Sequence, residues 1–471
     1  MEDSEAIHAR RVMVEPSTFD CLSFDAIGKS DREYIVAMLT SNRRTFLRTS
    51  ALSAMAASRI LGANDRINVA VIGLGGRGKN HVTEFVRRSD VNIYALCDVD
   101  QANLEKGQAQ VKRATGADPK GYEDMRDVFA DQNVHAVSLA IPNHWHALAT
   151  IWACQAGKDV YVEKPACHDP YEGRQMVAAA RKYKRMVQVG SQGRSLPHKI
   201  HAVELLRSGV IGDVYMARGL CFKRRKSIGH TPTEPVPAGV NWDRFRGPAP
   251  MIPFSKNHFL YNWHWFWDTG NGDLGNQGVH EMDIARWGLG VAFPNAVVAS
   301  GGKYVYRDDQ ETPNTLVARC DYGERELVFE VRGLETGHEA DLSKTDSNCI
   351  GDLFYGSDGW MSLDEEGYRV YKGTPGALSQ SGLYDRSVPS GTAPHIANFL
   401  DAVRSRKFED LHADIDIGRI SADLCHLSNI SYRLGGRNLD FDPHAEKFHA
   451  AEANALAHPA YRSPYTIPAA V

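Results

Sequence analysis

The chain has 471 residues, 43% apolar and 24% charged, too long for one typical core and apolar enough to bury two or three. A formal net charge of −4 without any long basic run gives no electrostatic footprint for nucleic acid or an anionic membrane surface. The eight cysteines are scattered, with no C-x-x-C pair and none of the dense spacing of a disulfide or zinc framework.

In chain order, residues 1–65 read as an address. Ser41-Asn42-Arg43-Arg44-Thr45-Phe46-Leu47-Arg48 carries paired arginines followed by Phe-Leu and a small, weakly apolar stretch to Ala57. This resembles a twin-arginine export signal, with Met38 at the distance expected of an initiator. It predicts a periplasmic protein, or a cytoplasmic one if the signal does not act; an ordinary Arg-rich N-terminal helix is the plain alternative. No other segment approaches the ~20 apolar residues of a membrane span, so membrane insertion is not expected.

Residues 66–190 read as a dinucleotide-binding domain. Ile67 to Ile72 forms a buried-strand pattern, Gly73-Leu74-Gly75-Gly76-Arg77-Gly78 follows at once, and Lys79 to Arg88 reads as a helix. Between strand and helix, Gly73 permits the tight turn, Gly75 lets backbone approach a pyrophosphate and Gly78 permits close packing, with Gly76 and Arg77 in the same loop. A second strand, Val91 to Cys97, ends at Asp98, about where an acid accepts the ribose hydroxyls. That carboxylate favours NAD over NADP, although Arg77 in the loop could tolerate the extra phosphate.

Two further strands, Ala136 to Ile141 and Asp159 to Val162, end in Pro142-Asn143-His144-Trp145-His146 and Glu163-Lys164-Pro165, with a helix Ala147 to Ala156 closed by Gly157 between them. Strands of a parallel sheet end on one edge, so Gly73, Asp98, Asn143 and Lys164 are predicted to line one crevice. Arg194, just past the last strand of this half, either binds substrate or braces the domain junction.

Residues 191–471 read as a second α/β domain. Strand-like runs at Asp213 to Gly219, Ala296 to Gly302, Leu316 to Asp321 and Glu326 to Gly333 predict an antiparallel sheet. Arg224 to Pro253 reads as a long loop kept for binding or assembly, His395 to Arg404 and Ile415 to Arg433 as helices, and the tail as a surface strap. The clusters His144-Trp145-His146 and Trp263-His264-Trp265-Phe266-Trp267-Asp268 do not match a zinc spacing, and no metal is expected. Aromatic faces beside polar groups suit a sugar ring, so His264, then Asn276 and Trp265, are the expected substrate contacts.

Together the Gly73–Gly78 loop, Pro142-Asn143 with His146, Glu163-Lys164-Pro165, Gly278-Val279-His280 with Asp283, and Tyr461-Arg462-Ser463-Pro464 resemble the Gfo/Idh/MocA family of glucose-fructose oxidoreductase and inositol dehydrogenase. The resemblance implies a Rossmann domain followed by an α/β domain whose open, mostly antiparallel sheet covers the nicotinamide and often builds a dimer or tetramer. It also implies cofactor contacts from Pro142, Asn143, His146, Glu163 and Lys164. In the dehydrogenase members the lysine of E-K-P polarises the substrate oxygen, while an Asp and a His four residues apart assist proton transfer. Lys164 and His280 match; Asn276 stands where the acid is expected. An amide can hold a hydroxyl but cannot relay a proton, so Lys164 and His280 carry more of the acid/base work or the chemistry differs.

Three functions follow. The first is an NAD(P)-dependent oxidoreductase moving hydride to or from a sugar or cyclic polyol, on a tightly held cofactor. The second is a redox-neutral glycoside hydrolase that oxidises a sugar transiently and returns the hydride to the same cofactor. The third is a non-catalytic sugar-binding protein that retains the cofactor for stability.

Overall fold

Six short strands, three of them (β4, β5 and β6) wholly buried, build the first sheet: β1 (Ile67–Ile72), β2 (Val91–Cys97), β3 (Lys120–Tyr122), β4 (Ala136–Leu139), β5 (Asp159–Val162) and β6 (Val187–Val189). Their order is β3-β2-β1-β4-β5-β6, and every neighbouring pair is parallel. Near-continuous apolar runs such as Ala136–Leu139, buried at every position, are what a parallel sheet covered on both faces requires. The computed structural model describes residues 66–471 apart from 335–340, 343, 346–347, 375 and 388–390. The paired-arginine segment lies outside the described residues.

Helices cross between these strands: α1 (Arg77–Val86), α2 (Gln101–Thr115), α3 (Met125–Ala130), α4 (Asn143–Gln155) and α5 (Pro170–Lys182). Helix α1 starts two residues before its expected position, which puts Arg77 in its first turn. Helix α4 starts four residues early, at the point where Pro142 supplies an extended backbone that a helix can follow. Asn143, His144 and His146 therefore sit on a helix rather than in a loop.

After α6 (Pro197–Arg207) and β7 (Val214–Phe222), the chain runs through a long, mostly irregular stretch that holds α7 (Trp242–Arg246) and short 3-10 turns at Lys256–His258 and Asn262–Trp265, then turns at Leu274–Gly278 into α8 (Val279–Leu289). The strands that follow are β8 (Ala296–Gly302), β9 (Thr315–Asp321), β10 (Glu326–Arg332), β11 (Lys344–Thr345), β12 (Asn348–Gly356), β13 (Gly359–Leu363), β14 (Gly367–Lys372) and β15 (Ala377–Leu383). The chain closes with α9 (Thr392–Ser405), α10 (Ile415–Arg433), β16 (Leu439–Asp442), β17 (Lys447–Phe448) and α11 (Ala451–Leu456). The second sheet has 11 strands along the path β15-β14-β13-β12-β7-β10-β9-β8-β16-β17, with β11 on β12. It is antiparallel except where β7 meets β10.

Helices α8 and α10 bury one face of this sheet: Met282, Ala285, Leu424 and Leu427 pack with Ala318, Leu327 and Phe329 in one core. The tail behaves as the strap its composition predicts, with Tyr465 and Ile467 buried in the core of the first sheet. Among the described residues no helix is long and apolar enough to cross a membrane.

Candidate functional site

A cleft of about 650 Å³ runs along the C-terminal edge of the first sheet and under α8. Gly73, Asp98, Asn143 and Lys164 all line it, as parallel-strand geometry demands. Gly73 has φ +85, and a Cβ there would collide with the Ala140 carbonyl. A Cβ on Gly78 would collide with the Gly73 carbonyl, so Gly78 serves the packing of loop on helix and does not itself line the cleft. At Gly76 a Cβ would meet nothing: the loop is open on its cleft side. Helix α1 begins there without a side-chain cap; the Lys79 N–H turns back to the Gly76 carbonyl (3.1 Å), and the N–H groups of Arg77 and Gly78 suit an anionic ligand.

The Asp98 carboxylate accepts N–H bonds from Leu74 (2.6 Å) and Asp100 (2.9 Å), which shapes the loop and leaves lone pairs for ribose hydroxyls. Burial raises its pKa to about 6 against these two hydrogen bonds, so it is mostly ionised at neutral pH.

Glu163 is a hub. Its carboxylate accepts from Arg77 Nε (2.9 Å), from His81 Nε2 (2.9 Å) and from Gln192 Nε2 (3.0 Å). Burial alone would raise its pKa; the Arg77 guanidinium and His81 outweigh it and hold the carboxyl well below its usual range. A Cβ on Gly190 would run into that carboxylate, so the bare backbone makes the room. Arg77 lines the cleft, but its guanidinium is held by Glu163 and Thr392.

Lys164 follows directly. Its Nζ donates to the backbone carbonyl of Asn276, joining the two sheets' contributions at one point. Burial lowers its pKa to about 8, against the raising influence of Glu163. His280, in the first turn of α8, lines the same cleft with no hydrogen-bond partner on either ring nitrogen among the described residues. Burial first, and then Lys164, keep its pKa well below the ordinary value, so it stands there as neutral imidazole. The Asn276 side chain reaches the Tyr261 hydroxyl at 3.4 Å. His264 completes this end, stacked on Trp263 at 3.6 Å and held neutral by burial, its pKa near 3.

Three other residues named from sequence are placed elsewhere. Arg194 does not line the cleft: it makes a buried two-point ion pair with Asp283 (2.7 and 2.9 Å), the bracing alternative rather than the substrate one. His146 is buried behind Pro142, its ring between the carbonyls of Pro165 (2.7 Å) and Ile141 (2.8 Å), where it pins the two strand ends together. Trp265 is buried against Arg225 and is also absent from the lining. Sequence reasoning missed Gln192, Lys199, Tyr261 and Glu281, which do line it. Only Gln192, in the Gly-Ser-Gln-Gly run after β6, stood in a recognisable loop.

The long irregular stretch closes the adenosine end. Gly239 and Asn241 exchange backbone bonds with Gln101 (3.0 Å) and Val99 (2.8 Å), just past β2. Asn241 Nδ2 donates to Glu123 (2.6 Å), Arg244 pairs with the same carboxylate, and Phe245, Phe259 and Leu260 line the cleft.

The profile of the oxidoreductase family's NAD-binding Rossmann fold matches residues 67–191, and that of its C-terminal alpha/beta domain matches 205–297 and 367–467. A glycosyl hydrolase family 109 protein of Shewanella sp. (strain W3-18-1) is 28% identical over 157 residues, 32% of this chain and 34% of that protein. An inositol 2-dehydrogenase of Corynebacterium glutamicum (strain R) is 30% identical over 170 residues, 36% of this chain and 48% of that protein. The match thus spans about a third to a half of these curated relatives. The WlbA dehydrogenase of Bordetella pertussis, solved with NADH and UDP-GlcNAcA, shares the fold at TM-score 0.58 and 20% identity, over 80% of this chain and 99% of its own. With the two family models matching more than half of the chain, in order along it, the protein belongs to the Gfo/Idh/MocA oxidoreductase family and carries that family's NAD-binding Rossmann fold.

Proposed function

We propose that the protein is an NAD-dependent oxidoreductase that moves hydride between the nicotinamide and a hydroxyl-bearing carbon of a sugar or cyclic polyol. The observation that carries this reading is Lys164, half-buried beside the carbonyl of Asn276 and lining one cleft with His280 and the phosphate loop. The dinucleotide, when bound, supplies the hydride acceptor. The chain's own groups do the rest. Lys164, with its pKa near 8, takes the hydroxyl proton or holds charge on the developing alkoxide. Neutral His280 accepts a hydroxyl hydrogen bond, and the Asn276 amide orients the substrate without moving a proton. NAD is preferred over NADP because Asp98 repels a ribose phosphate and Arg77 is already engaged by Glu163. The segment 239–260 over the adenosine end supports a retained cofactor. Sugars bound by the WlbA neighbour and the inositol named for the Corynebacterium relative support the substrate class. Export by the twin-arginine route, which carries folded proteins, and assembly into a dimer or tetramer complete the proposal.

A redox-neutral glycoside hydrolase is the second reading, favoured by Asn276 and by the family 109 relatives. Such an enzyme recycles its own cofactor. The deciding experiment offers the purified chain sugars and chromogenic glycosides without free cofactor, and records nicotinamide reduction and aglycone release together. One stoichiometric burst of reduction without aglycone supports the dehydrogenase; sustained release without net reduction supports the hydrolase. Neither signal, with Lys164→Ala unchanged in dinucleotide binding and biological effect, would leave the non-catalytic reading.

A further inference from the structure

Behind the Asn143 end of the cleft lies a second cavity of about 270 Å³. Asn143 lines the first, and its hydrogen-bond partner Asn271 (2.9 Å) lines the second. The walls come from the start of α5, the turn Trp267–Asn271, one face of α10 and the tail at Tyr461.

Four side chains on these walls carry a buried polar atom with no protein partner: Glu172 Oε1, Asp268 Oδ1, His426 Nδ1 and Asn429 Oδ1. Glu172, His426 and Asn429 are nine-tenths or more buried. In each case the partnered atom fixes what the free one is. His426 Nε2 faces the Cys167 carbonyl at 3.1 Å and so carries the hydrogen, which makes Nδ1 an acceptor. Asn429 Nδ2 donates to the Asn271 carbonyl at 3.0 Å, leaving Oδ1 to accept. Asp268 Oδ2 is taken by Arg246, leaving Oδ1 as a carboxylate acceptor. Glu172 Oε2 accepts the His168 N–H at 2.7 Å. Burial, and then Asp169, push the Glu172 pKa well up, so its free Oε1 bears a proton and donates.

The free set is therefore three acceptors and one donor. Asp268 is paired with Arg246, Asp169 accepts from the Tyr461 hydroxyl with burial lifting its pKa to about 7, and burial holds His168 and His426 neutral, with pKa values near 4 and 3. Arg433 adds one cation, stacked over Trp267 at 5.2 Å. A multiply charged anion finds no matching charge here. A hydroxyl, which donates and accepts at once, complements both kinds of free atom, and Trp267 and Tyr461 add aromatic surface to the same walls.

We propose that this cavity is a second ligand site, separate from the dinucleotide cleft, that takes a neutral polyol of monosaccharide size. The volume suits one ring and excludes a dinucleotide. The site does not depend on what the main cleft catalyses.

The test titrates the full-length, cofactor-bound protein with a panel of hexoses, hexitols and inositols, reading stoichiometry by equilibrium dialysis and location by amide-exchange protection. The expected result is protection of residues 424–433 and 459–462 that survives Lys164→Ala. Asn429→Ala should weaken this binding about tenfold, the loss of one hydrogen bond to a buried group, and leave the dinucleotide bound. Glu172→Gln, which keeps a donor at that atom, should retain it where Glu172→Ala does not, so a variant that misfolds is told apart from one that loses a contact. No protection by any member of the panel, or protection lost with Lys164→Ala and unaffected by Asn429→Ala, overturns the proposal. A hydrolase or a silent main cleft leaves this outcome unchanged, so failure of the catalytic reading is distinguishable.

Discussion

Lys164 is charged in water and on the edge of neutrality in this cleft, and its working form sets a pH profile. If the free amine takes the hydroxyl proton, alcohol oxidation should rise about tenfold per pH unit below a pKa near 8 and flatten above it. A rate independent of pH between 6 and 9 would assign Lys164 the charged, electrostatic role instead. Lys164→Ala should cut the hydride step by about 10²–10⁴ while bound nicotinamide remains, measured by single-turnover absorbance. Glu163→Ala removes the acceptor of three donors, one of them the fully buried His81, and should cost about 3–5 kcal/mol in a urea titration. Lys164 and His280 were legible because motif and strand order place them. Glu163's hub was not: His81 and Gln192 lie 82 and 29 residues away, and no local pattern announces a long-range hydrogen bond. Arg194 shows the same limit, since Asp283, its partner, is 89 residues distant.

At the level of elements, the close approach of α1 to β1 is the tightest constraint. Gly78→Ala drives a Cβ into the Gly73 carbonyl, a backbone atom, and should cost about 1–3 kcal/mol and weaken dinucleotide binding together. A stability loss with unchanged dinucleotide affinity would separate packing from phosphate recognition. Strands β1, β2, β4 and β5 of the first sheet were readable as apolar runs, whereas β3, an exposed Lys-Gly-Tyr, was not. Strands β12 to β15 were not: β15 reads Ala-Leu-Ser-Gln-Ser-Gly-Leu and is largely exposed, so neither apolar content nor alternation marks it. Helix α10 was readable at full length because caps bound it, with Asp414 accepting from Asp416 N–H at its start. What was not readable is that it packs between the sheets, touching α5 on one side and β8 on the other.

For the whole molecule, the segment 239–260, a second strap apart from the C-terminal tail, lies over the adenosine end and joins halves that the sequence keeps apart. Loosening it with Asn241→Ala and Arg244→Ala should speed dinucleotide release about tenfold, followed by gel filtration with absorbance at 260 nm, while a merely decorative loop would leave release unchanged. The strap also imposes a calendar on synthesis. A ribosome delivers the phosphate loop at Gly73 and the whole of the first sheet before residues 239–260 exist to cover them. During that interval the nucleotide site is open on the side the strap later closes. A cell short of dinucleotide at that moment would finish many molecules with nothing inside, and restoring the supply afterwards would repair them only as fast as the strap lifts. The fraction of loaded protein should then report nucleotide levels at the time of translation, readable by growing cells under NAD limitation and measuring cofactor per chain before and after replenishment.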